Sequence, residues 1–242
     1  MVQTKKLSVY NDAKMIAHMG ARGLEPENTI PAFFASANRT YYGIETDVHI
    51  TKDKRVIVTH DDNAVRVSGV DINVEESTFE ELRKVKLYDS DGESTRDYLF
   101  MPSLEEYISI CKKYGKIAVL ELKNRMADED VYMIYDIIEQ LGYNKGTLYI
   151  SFAIDNLHAI RRKNPAQPVQ YLVGKNVEDD LFDKLRAYRY DLDIYFENVT
   201  KELIDACHEL GVAVNAWTVN EVDFAEKLVN MGIDYITTDI LE

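Results

Sequence analysis

The sequence predicts an α/β protein that folds as a (β/α)8 TIM barrel, and three observations lead to that fold class. Short β-rich runs alternate with helix-length amphipathic segments along all 242 residues. Eight of the runs either lead into a helix or end the chain, and eight such steps in about 240 residues match the size of this barrel. Glycines follow several predicted helices, at Gly115, Gly142, Gly211 and Gly232, where left-handed caps are expected. An open, doubly wound sheet has the same alternation, so the spacing alone leaves that alternative.

The elements follow one another in a regular order. The predicted barrel strands are residues 15–19, 43–50, 117–122, 148–152, 169–173, 192–196, 212–217 and 235–238. The predicted helices between them are residues 31–38, 104–114, 129–141, 154–163, 178–188, 201–210 and 221–231. A hairpin-like partner of the second strand is expected at residues 56–60, after the polar turn of residues 52–54.

One irregular stretch, residues 61–101, interrupts this order. It contains a short helical piece near residues 79–85 and an acidic loop at residues 89–94. No Pro, Ser or Gly-rich linker divides the chain. We therefore predict a single barrel domain over residues 1–242 with a small insertion after the second strand.

Composition limits the classes of function. The chain has 28 Lys and Arg against 42 Asp and Glu, a net charge of −14. Nucleic acids and anionic membranes require clustered positive charge, so neither is an expected partner. A local site can still differ in sign from the whole surface and bind an anionic substrate.

Cellular location is suggested by the cysteines and by the apolar segments. Cys111 and Cys207 both fall in predicted helices, so a disulfide framework is not expected and a reducing compartment is suitable. The first seven residues show no signal peptide, and no stretch approaches the roughly 20 apolar residues of a membrane span. We expect a cytoplasmic monomer or homodimer without stable membrane insertion.

Titratable residues are concentrated where predicted barrel strands end, which is where the active sites of such barrels lie. Glu45 and Asp47 are two apart on one strand, so both point to the same face, and Glu121 and Lys123 repeat that spacing. At about 4 Å and an effective dielectric near 20, each carboxylate pair costs on the order of 4 kcal/mol. Either some carboxyls are protonated or a cation lies between them. Oxygen ligands favour Mg²⁺ or Ca²⁺, with Mn²⁺ possible; alternatively, backbone donors or a lysine satisfy each carboxylate separately.

Two histidines end predicted strands close to these carboxylates. His18 and His60 suit general acid and base roles because imidazole titrates near neutral pH, although local hydrogen bonds are the simpler alternative. Lys123 could neutralise the acids or bind a phosphate, and Trp217 is expected to be half core and half pocket wall. His49 is interpreted as a structural or rim residue.

Several blocks of the chain resemble the glycerophosphodiester phosphodiesterase family. Residues 16–29 read IAHMGARGLEPENT, similar to the family's opening His-Arg-Gly and Pro-Glu-Asn-Thr motif. Residues 43–48 read GIETDV and residues 58–62 read VTHDD. Later matches are ELK at 121–123, SF at 151–152, AWTVN at 216–220 and ITTD at 236–239. The order and spacing of these blocks over almost the whole chain make the resemblance specific.

The resemblance implies a TIM barrel with a small insertion that hydrolyses glycerophosphodiesters to glycerol 3-phosphate and an alcohol. It implies the following roles: metal ligands Glu45, Asp47 and Glu121, acid and base His18 and His60, phosphate-binding Lys123, and apolar wall residues Phe152 and Trp217. The implied partner is a small-molecule glycerophosphodiester.

One position departs from the family pattern. The arginine that follows the first histidine and contacts phosphate is replaced by Met19, which cannot donate a forked pair of hydrogen bonds. Arg22 lies three residues further on, and we hypothesise that it reaches the same phosphate oxygens. The alternative is that Arg22 is a surface charge paired with Glu25 or Glu27.

Three other functions remain open at this point. Met19 motivates a catalytically weakened relative that binds or senses glycerophosphodiesters. Metal-assisted isomerisation or lyase chemistry on a sugar phosphate would use the same barrel, but the paired histidines favour phosphodiester cleavage. The acidic surface and the lack of an apolar anchor argue modestly against a lysophospholipid substrate, although the insertion could carry a lipid-contacting face.

Overall fold

A computed structural model describes residues 2–242, and within them the β-strands form one closed barrel. The strands are β1 Lys14–Ala17, β2 Gly43–Ile50, β3 Val56–Val58, β4 Ile117–Leu122, β5 Thr147–Ser151, β6 Val169–Val173, β7 Asp191–Tyr195, β8 Val214–Trp217 and β9 Tyr235–Thr238. All except β3 run parallel, in the order β1-β9-β8-β7-β6-β5-β4-β2, and β1 also pairs with β2. That last pairing closes the barrel and excludes the open sheet.

Most helices surround this barrel, and two short ones belong to the insertion. They are α1 Ile30–Ala37, α2 Val65–Ser68, α3 Phe79–Arg83, α4 Leu104–Tyr114, α5 Asp128–Gln140, α6 Ile154–Lys163, α7 Leu181–Tyr188, α8 Lys201–Glu209 and α9 Val222–Met231. Ser103 begins α4 with a reciprocal capping box to Glu106, and Gly115 ends it in the left-handed conformation. Over residues 2–242, no helix is both long and apolar enough to cross a membrane.

The predicted barrel is confirmed, and each of its eight strands lies within two residues of its predicted ends. The hairpin partner is shorter than expected, because β3 ends at Val58 instead of His60. It pairs antiparallel with β2, with Val58 opposite Val48. The Thr59 N–H still donates to the Asp47 carbonyl at 3.1 Å. The next residue turns away, which frees the His60 imidazole to face the barrel mouth. That the whole chain is one domain stays a prediction.

The insertion has a small hydrophobic core of its own. Residues next to α2, in α3 and in the following loop form this core together with Ile57 of β3; it includes Ala64, Phe79, Leu82, Leu87 and Leu99. The predicted helical piece is confirmed as α3, whereas α2 was not predicted. A separate buried core means that the insertion has a defined position beside the barrel mouth.

The interior of the barrel is divided by polarity. Ile16, Val119, Leu148 and Leu172 form an apolar cluster on one part of the wall. The strands β6 to β9 instead contribute four buried polar residues, Gln170, Asp193, Asn215 and Thr237. Buried polar groups are normally hydrogen-bonded, so this second part calls for a specific account.

Candidate active site

A cavity of about 320 Å³ opens at the carboxyl ends of the barrel strands. It is lined by His18, Glu45, His60, Glu121, Lys123, Ile150, Phe152, Leu172, Asp193, Trp217 and Thr237. The titratable residues come from β2, from the ends of β1 and β4, from the loop after β3 and, for Asp193, from β7. The ends of β5, β6 and β8 supply the apolar residues, and β9 supplies Thr237. The sequence-predicted site residues therefore meet in one place, except for Asp47, which is fully buried, and Arg22.

Three carboxyl groups form the acidic part of the site. One oxygen from each of Glu45, Asp47 and Glu121 lies within 4.8 Å of the others. Asp47 stands directly opposite Glu121 in the pairing of β2 with β4. The Glu45 Oε2 accepts a hydrogen bond from the Met19 N–H at 2.7 Å, and the Asp47 Oδ2 accepts one from Asn28 Nδ2 at 2.8 Å. Strand spacing thus produces the cluster that the sequence predicted.

The electrostatics of this cluster favour a bound cation. Burial, together with the charges of Asp47 and Glu121, raises the pKa of Glu45 well above its ordinary value. Burial and Asp47 raise the pKa of Glu121 to about 8. Burial opposes ionisation of Asp47 as well, but Lys123, His60 and Asn28 lower the pKa of that carboxyl below its usual value. Three adjacent buried carboxyls are therefore costly to ionise together without added positive charge.

Lys123 supplies only part of that charge. Its Nζ lies 2.8 Å from the Glu121 Oε1 and 3.5 Å from the Asp47 Oδ1. Although burial opposes its charge, these carboxylates raise the pKa of Lys123 above its usual range. One lysine offsets one of three carboxylates, and the buried Asp47 Oδ1 accepts no hydrogen bond within residues 2–242. An all-oxygen donor set with a free buried oxygen fits a hard divalent cation.

His18 is oriented by a buried carboxylate. Its Nδ1 lies 2.6 Å from the Asp239 Oδ1, and the other oxygen of that carboxylate accepts from Asn220 Nδ2 at 2.8 Å. Burial disfavours the charge of Asp239, but His18, Arg22 and Asn220 together hold its pKa below the usual value. A charged acceptor at Nδ1 fixes the proton on that nitrogen and leaves Nε2 for a ligand.

His60 has a matching arrangement. Its Nδ1 lies 2.7 Å from the Asp61 Oδ1. The buried imidazole of His49 reaches the His60 carbonyl oxygen through Nε2 at 3.2 Å and Glu75 through Nδ1 at 3.0 Å. His49 thus holds the backbone of His60 in place, which agrees with its interpretation as a structural residue.

Two arginines and one glutamate connect the carboxylate partners of the histidines. Arg22 Nε donates to the Asp239 Oδ1 at 2.9 Å, and Arg66 Nε donates to the Asp61 Oδ2 at 2.6 Å. Glu27 lies between these arginines, 3.7 Å from Arg22 and 2.6 Å from Arg66. A continuous chain of charged contacts therefore joins both histidine–aspartate pairs, and Arg66 contributes to it from the insertion.

Neither Met19 nor Arg22 lines the cavity. Met19 is buried and left-handed, with φ of 49°, and its side chain is not part of the cavity lining. Arg22 is also outside that lining and is bound to Asp239 and Glu27, with its Nη1 3.9 Å from the Met19 sulfur. The pairing with Glu27 matches the alternative raised for Arg22. That Arg22 contacts the substrate phosphate stays a prediction.

The apolar wall consists of aromatic rings. Phe152 and Trp217 meet edge to face with ring centroids 5.7 Å apart, and Tyr195 meets Trp217 at 5.8 Å. Phe152 is 47% exposed, so its ring is available to a ligand at the mouth. Both predicted wall residues therefore lie at the cavity.

A second acidic group lies outside this cavity. It comprises His49, Asp62 and Glu75, whose ligand atoms also lie within 4.8 Å of one another. The Asn124 Nδ2 donates to Asp62 at 2.8 Å and to Glu75 at 3.0 Å. A protein donor thus already satisfies these carboxylates, unlike the Asp47 Oδ1.

Some residues of the site had no role in the sequence interpretation. Asp61 and Asp239 stand in the quoted motifs, next to His60 and at the end of ITTD, so their positions were visible but their contacts were not. Arg66 lies in the irregular insertion and gave no signal. Asp193 looked like an ordinary residue of a strand, because only barrel closure shows which of its faces points inward.

The closed parallel barrel, with carboxylates, a lysine and two aspartate-paired histidines at the carboxyl ends of its strands, defines a TIM-barrel enzyme. The chain belongs to the glycerophosphoryl diester phosphodiesterase family, whose model matches residues 18–242. It is 30% identical to a glycerophosphodiester phosphodiesterase of Bacillus altitudinis, over 93% of this chain and 94% of that relative.

Solved structures show the same fold. A glycerophosphodiester phosphodiesterase from Parabacteroides distasonis superposes with a TM-score of 0.80 at 26% identity, covering 96% of this chain and 94% of the other. A phosphodiesterase from Oleispira antarctica, in complex with its product sn-glycerol-3-phosphate, gives a TM-score of 0.83 at 23% identity, covering 94% of this chain and 93% of the other.

Proposed function

We propose that this protein hydrolyses glycerophosphodiesters to glycerol 3-phosphate and an alcohol, with the help of one divalent cation. The observation that carries the proposal is a single cavity where two histidines, each paired with an aspartate, lie beside a cluster of three buried carboxyls, two of which line the cavity. The glycerol 3-phosphate bound by the Oleispira antarctica phosphodiesterase of the same fold supports this substrate class.

Glu45, Asp47 and Glu121 are the residues that would hold the cation. Their oxygen-only donor set suits Mg²⁺ or Ca²⁺, with Mn²⁺ also possible. When bound, such a cation polarises a phosphoryl oxygen and offsets the negative charge that develops there. It would also relieve the repulsion that raises the pKa values of Glu45 and Glu121.

His18 and His60 would move the protons. One takes a proton through Nε2 from the attacking hydroxyl, which is either water or the 2-hydroxyl of glycerol, and the other gives a proton to the departing alkoxide. Attack by the 2-hydroxyl gives a cyclic phosphate, which water then opens. Asp239 and Asp61 support either role, since each accepts from the Nδ1 side and stabilises the imidazolium.

Lys123 would bind the phosphate as a point charge, because it is the cationic side chain in the cavity besides the histidines. Phe152 and Trp217 offer apolar surface to the organic parts of the substrate. The insertion, which lies beside the barrel mouth, and Trp217 would together determine which leaving alcohol fits. We expect a small-molecule substrate and a cytoplasmic monomer or homodimer.

Met19 supports a second candidate function. In this candidate, the chain lacks the phosphate-contacting arginine and would bind glycerophosphodiesters but turn them over weakly or not at all. In that case Arg22, which is held by Asp239 and Glu27, does not replace the missing guanidinium.

Phosphorus NMR of glycerophosphocholine incubated with the protein tests these functions. We expect glycerol 3-phosphate to form with Mg²⁺ or Ca²⁺ and not with EDTA, and His18→Gln to abolish its formation. His208→Gln is the matched control, since His208 also pairs with an aspartate, Asp234, at 2.8 Å, but in α8 and away from the cavity. Binding without product under every metal would favour the second candidate.

A further inference from the structure

Asp193 has a carboxyl group with one unsatisfied oxygen in the same cavity, and the mechanism above does not use it. It lies on β7, four strands from β2 around the barrel. It therefore faces Glu45 and Glu121 from the opposite wall of the cavity. The residue is 2% exposed. Its Oδ1 accepts no hydrogen bond within residues 2–242. A buried acceptor without a partner destabilises the folded state, so its presence calls for a ligand.

The neighbouring strands offer this carboxyl one side-chain donor at most, and they leave its Oδ1 without a partner. Asp193 lies between Leu172 of β6 and Asn215 of β8 in the sheet register. Leucine offers no donor. Burial has the largest effect on the pKa of Asp193 and raises it, whereas hydrogen bonding by the Asn215 amide, whose Nδ2 donates to the Thr237 Oγ1 at 2.9 Å, lowers it. The Trp217 Nε1 donates at 3.3 Å to the main-chain carbonyl of Asp193, which fixes the backbone and leaves the side chain free.

The cavity has two chemically different walls. A phosphate would bind at the wall of His18, His60 and Lys123, so the rest of the ligand extends towards β6, β7 and β8. That far wall is apolar apart from Asp193 and Thr237, and the Thr237 hydroxyl is already engaged with Asn215. Among the described cavity residues, Asp193 is thus the polar group left for the organic part of the ligand.

We propose that the Asp193 carboxyl binds the terminal hydroxyl of the glycerol moiety and so makes the site specific for glycerol esters. This proposal rests on the proposed function. The 2-hydroxyl of glycerol lies next to the reacting phosphate, whereas the terminal hydroxyl is one carbon further away and extends across the cavity. A site that hydrogen-bonds a substrate hydroxyl rejects analogues without it far more strongly than an apolar pocket does.

Calorimetric binding in Mg²⁺ tests the proposal with two ligands that differ by this hydroxyl, glycerol 3-phosphate and 2-hydroxypropyl phosphate. We expect the wild type to prefer glycerol 3-phosphate by about 10-fold to 100-fold, because the analogue leaves a buried polar group unpaired. Asp193→Val should reduce the preference to below about threefold, chiefly by weakening glycerol 3-phosphate. Asp193→Asn, which keeps the shape and a polar amide, should fall in between.

A matched control and a stability measurement separate binding from folding. Asp191→Asn removes a carboxylate from the same strand outside the cavity, where it accepts from the Ala213 N–H at 2.9 Å, and should keep the wild-type preference. The melting temperature of Asp193→Val should equal or exceed that of the wild type, because an unsatisfied buried group is removed. A lower melting temperature in both Asp193 variants would instead indicate a structural role and overturn the proposal.

The outcomes also separate this inference from the proposed function. A wild type that shows the preference but produces no glycerol 3-phosphate from glycerophosphoethanolamine would refute the hydrolase and leave the hydroxyl site standing. Turnover together with an unchanged preference in Asp193→Val would refute the hydroxyl site alone. A wild type that binds both phosphates equally, or neither, would also overturn it.

Discussion

The Nδ1 of His18 and the Oδ1 of Asp239 lie 2.6 Å apart, although 221 residues separate them in the chain. The first and last strands of the barrel are neighbours, and Ala17 pairs with Thr238 directly before the two residues. Barrel closure therefore brings together the two motifs at opposite ends of the sequence. An imidazole in this setting keeps one tautomer, which a general acid or base needs.

Asp239→Asn should reduce kcat by about 10²-fold to 10⁴-fold, the range expected when an imidazole loses its orienting carboxylate. The amide can donate to Nδ1 and thereby place the imidazole proton on the wrong nitrogen. Glycerophosphodiester turnover over a range of pH values measures the effect. Asp234→Asn is the control, because Asp234 pairs with the surface residue His208. Equal loss in both variants would contradict a role specific to the site.

Asp239 should also contribute to stability in a pH-dependent way. Its folded pKa is lowered, even though burial opposes its charge, because His18 and Arg22 stabilise the carboxylate. A lowered folded pKa gives stability that is present above the unfolded value, about 3.9, and is lost as the pH falls through the folded value. Urea unfolding between pH 2 and 7, with about 0.5-unit steps, should show a steeper acid loss in the wild type than in Asp239→Asn. If the free energy of unfolding falls equally with pH in both proteins, Asp239 does not make this contribution to stability.

Glu27 should affect both histidines at once, because it contacts the arginines that hold their carboxylate partners. We expect Glu27→Gln to lower kcat by about tenfold with little change in KM, since it disturbs orientation and not substrate contact. Glu25→Gln, two residues away on the same loop, is the control. In a double-mutant cycle, Arg22→Ala and Arg66→Ala should be non-additive if the network acts as a unit. Simple additivity would mean that each arginine serves only its own aspartate.

The acidic cluster of Glu45, Asp47 and Glu121 should bind the stabilising cation, and Asp47→Asn should eliminate that binding. At 100 times the dissociation constant, Mg²⁺ or Ca²⁺ should stabilise the wild type by about 2.7 kcal/mol. Thermal melts with added metal and with EDTA measure this stabilisation as a shift in melting temperature. Glu75→Gln alters the second acidic group and should leave the shift intact. The reverse pattern would place the cation in that second group.

The sequence predicts the barrel well because its alternation, strand count and capping glycines are all local signals. It also predicts most of the residues that meet at the mouth, since the carboxyl ends of parallel strands share one edge. The sequence could not predict contacts that depend on barrel closure or on the position of the insertion. Glu27 and Arg66 are 39 residues apart, and the second lies in an irregular stretch, so no periodicity links them. Asp193 shows that contacts between strands are also hidden in the sequence. A polar residue on a barrel strand can be recognised, but whether a neighbouring strand supplies its hydrogen-bond partner cannot.

Met19→Arg tests whether the missing guanidinium limits the enzyme. The Met19 N–H holds Glu45, and its backbone is already left-handed, so the substitution changes the side chain and keeps that hydrogen bond. If no other group has replaced the arginine, kcat/KM should rise by about 10²-fold, the worth of one donor to a transition-state oxyanion. Assays over several divalent metals should show the gain with each of them.

Arg22→Ala completes this test, because the hypothesis that Arg22 replaces the missing arginine predicts the opposite pattern. If Arg22 leaves Asp239 to bind phosphate, Arg22→Ala should raise KM for the substrate and weaken glycerol 3-phosphate binding, and Met19→Arg should restore both. If Arg22 only supports Asp239, Arg22→Ala should lower kcat and leave phosphate binding unchanged. An Arg22→Ala variant as active as the wild type would refute both roles, and the cavity would then rely on Lys123, the histidines and the cation to hold the phosphate.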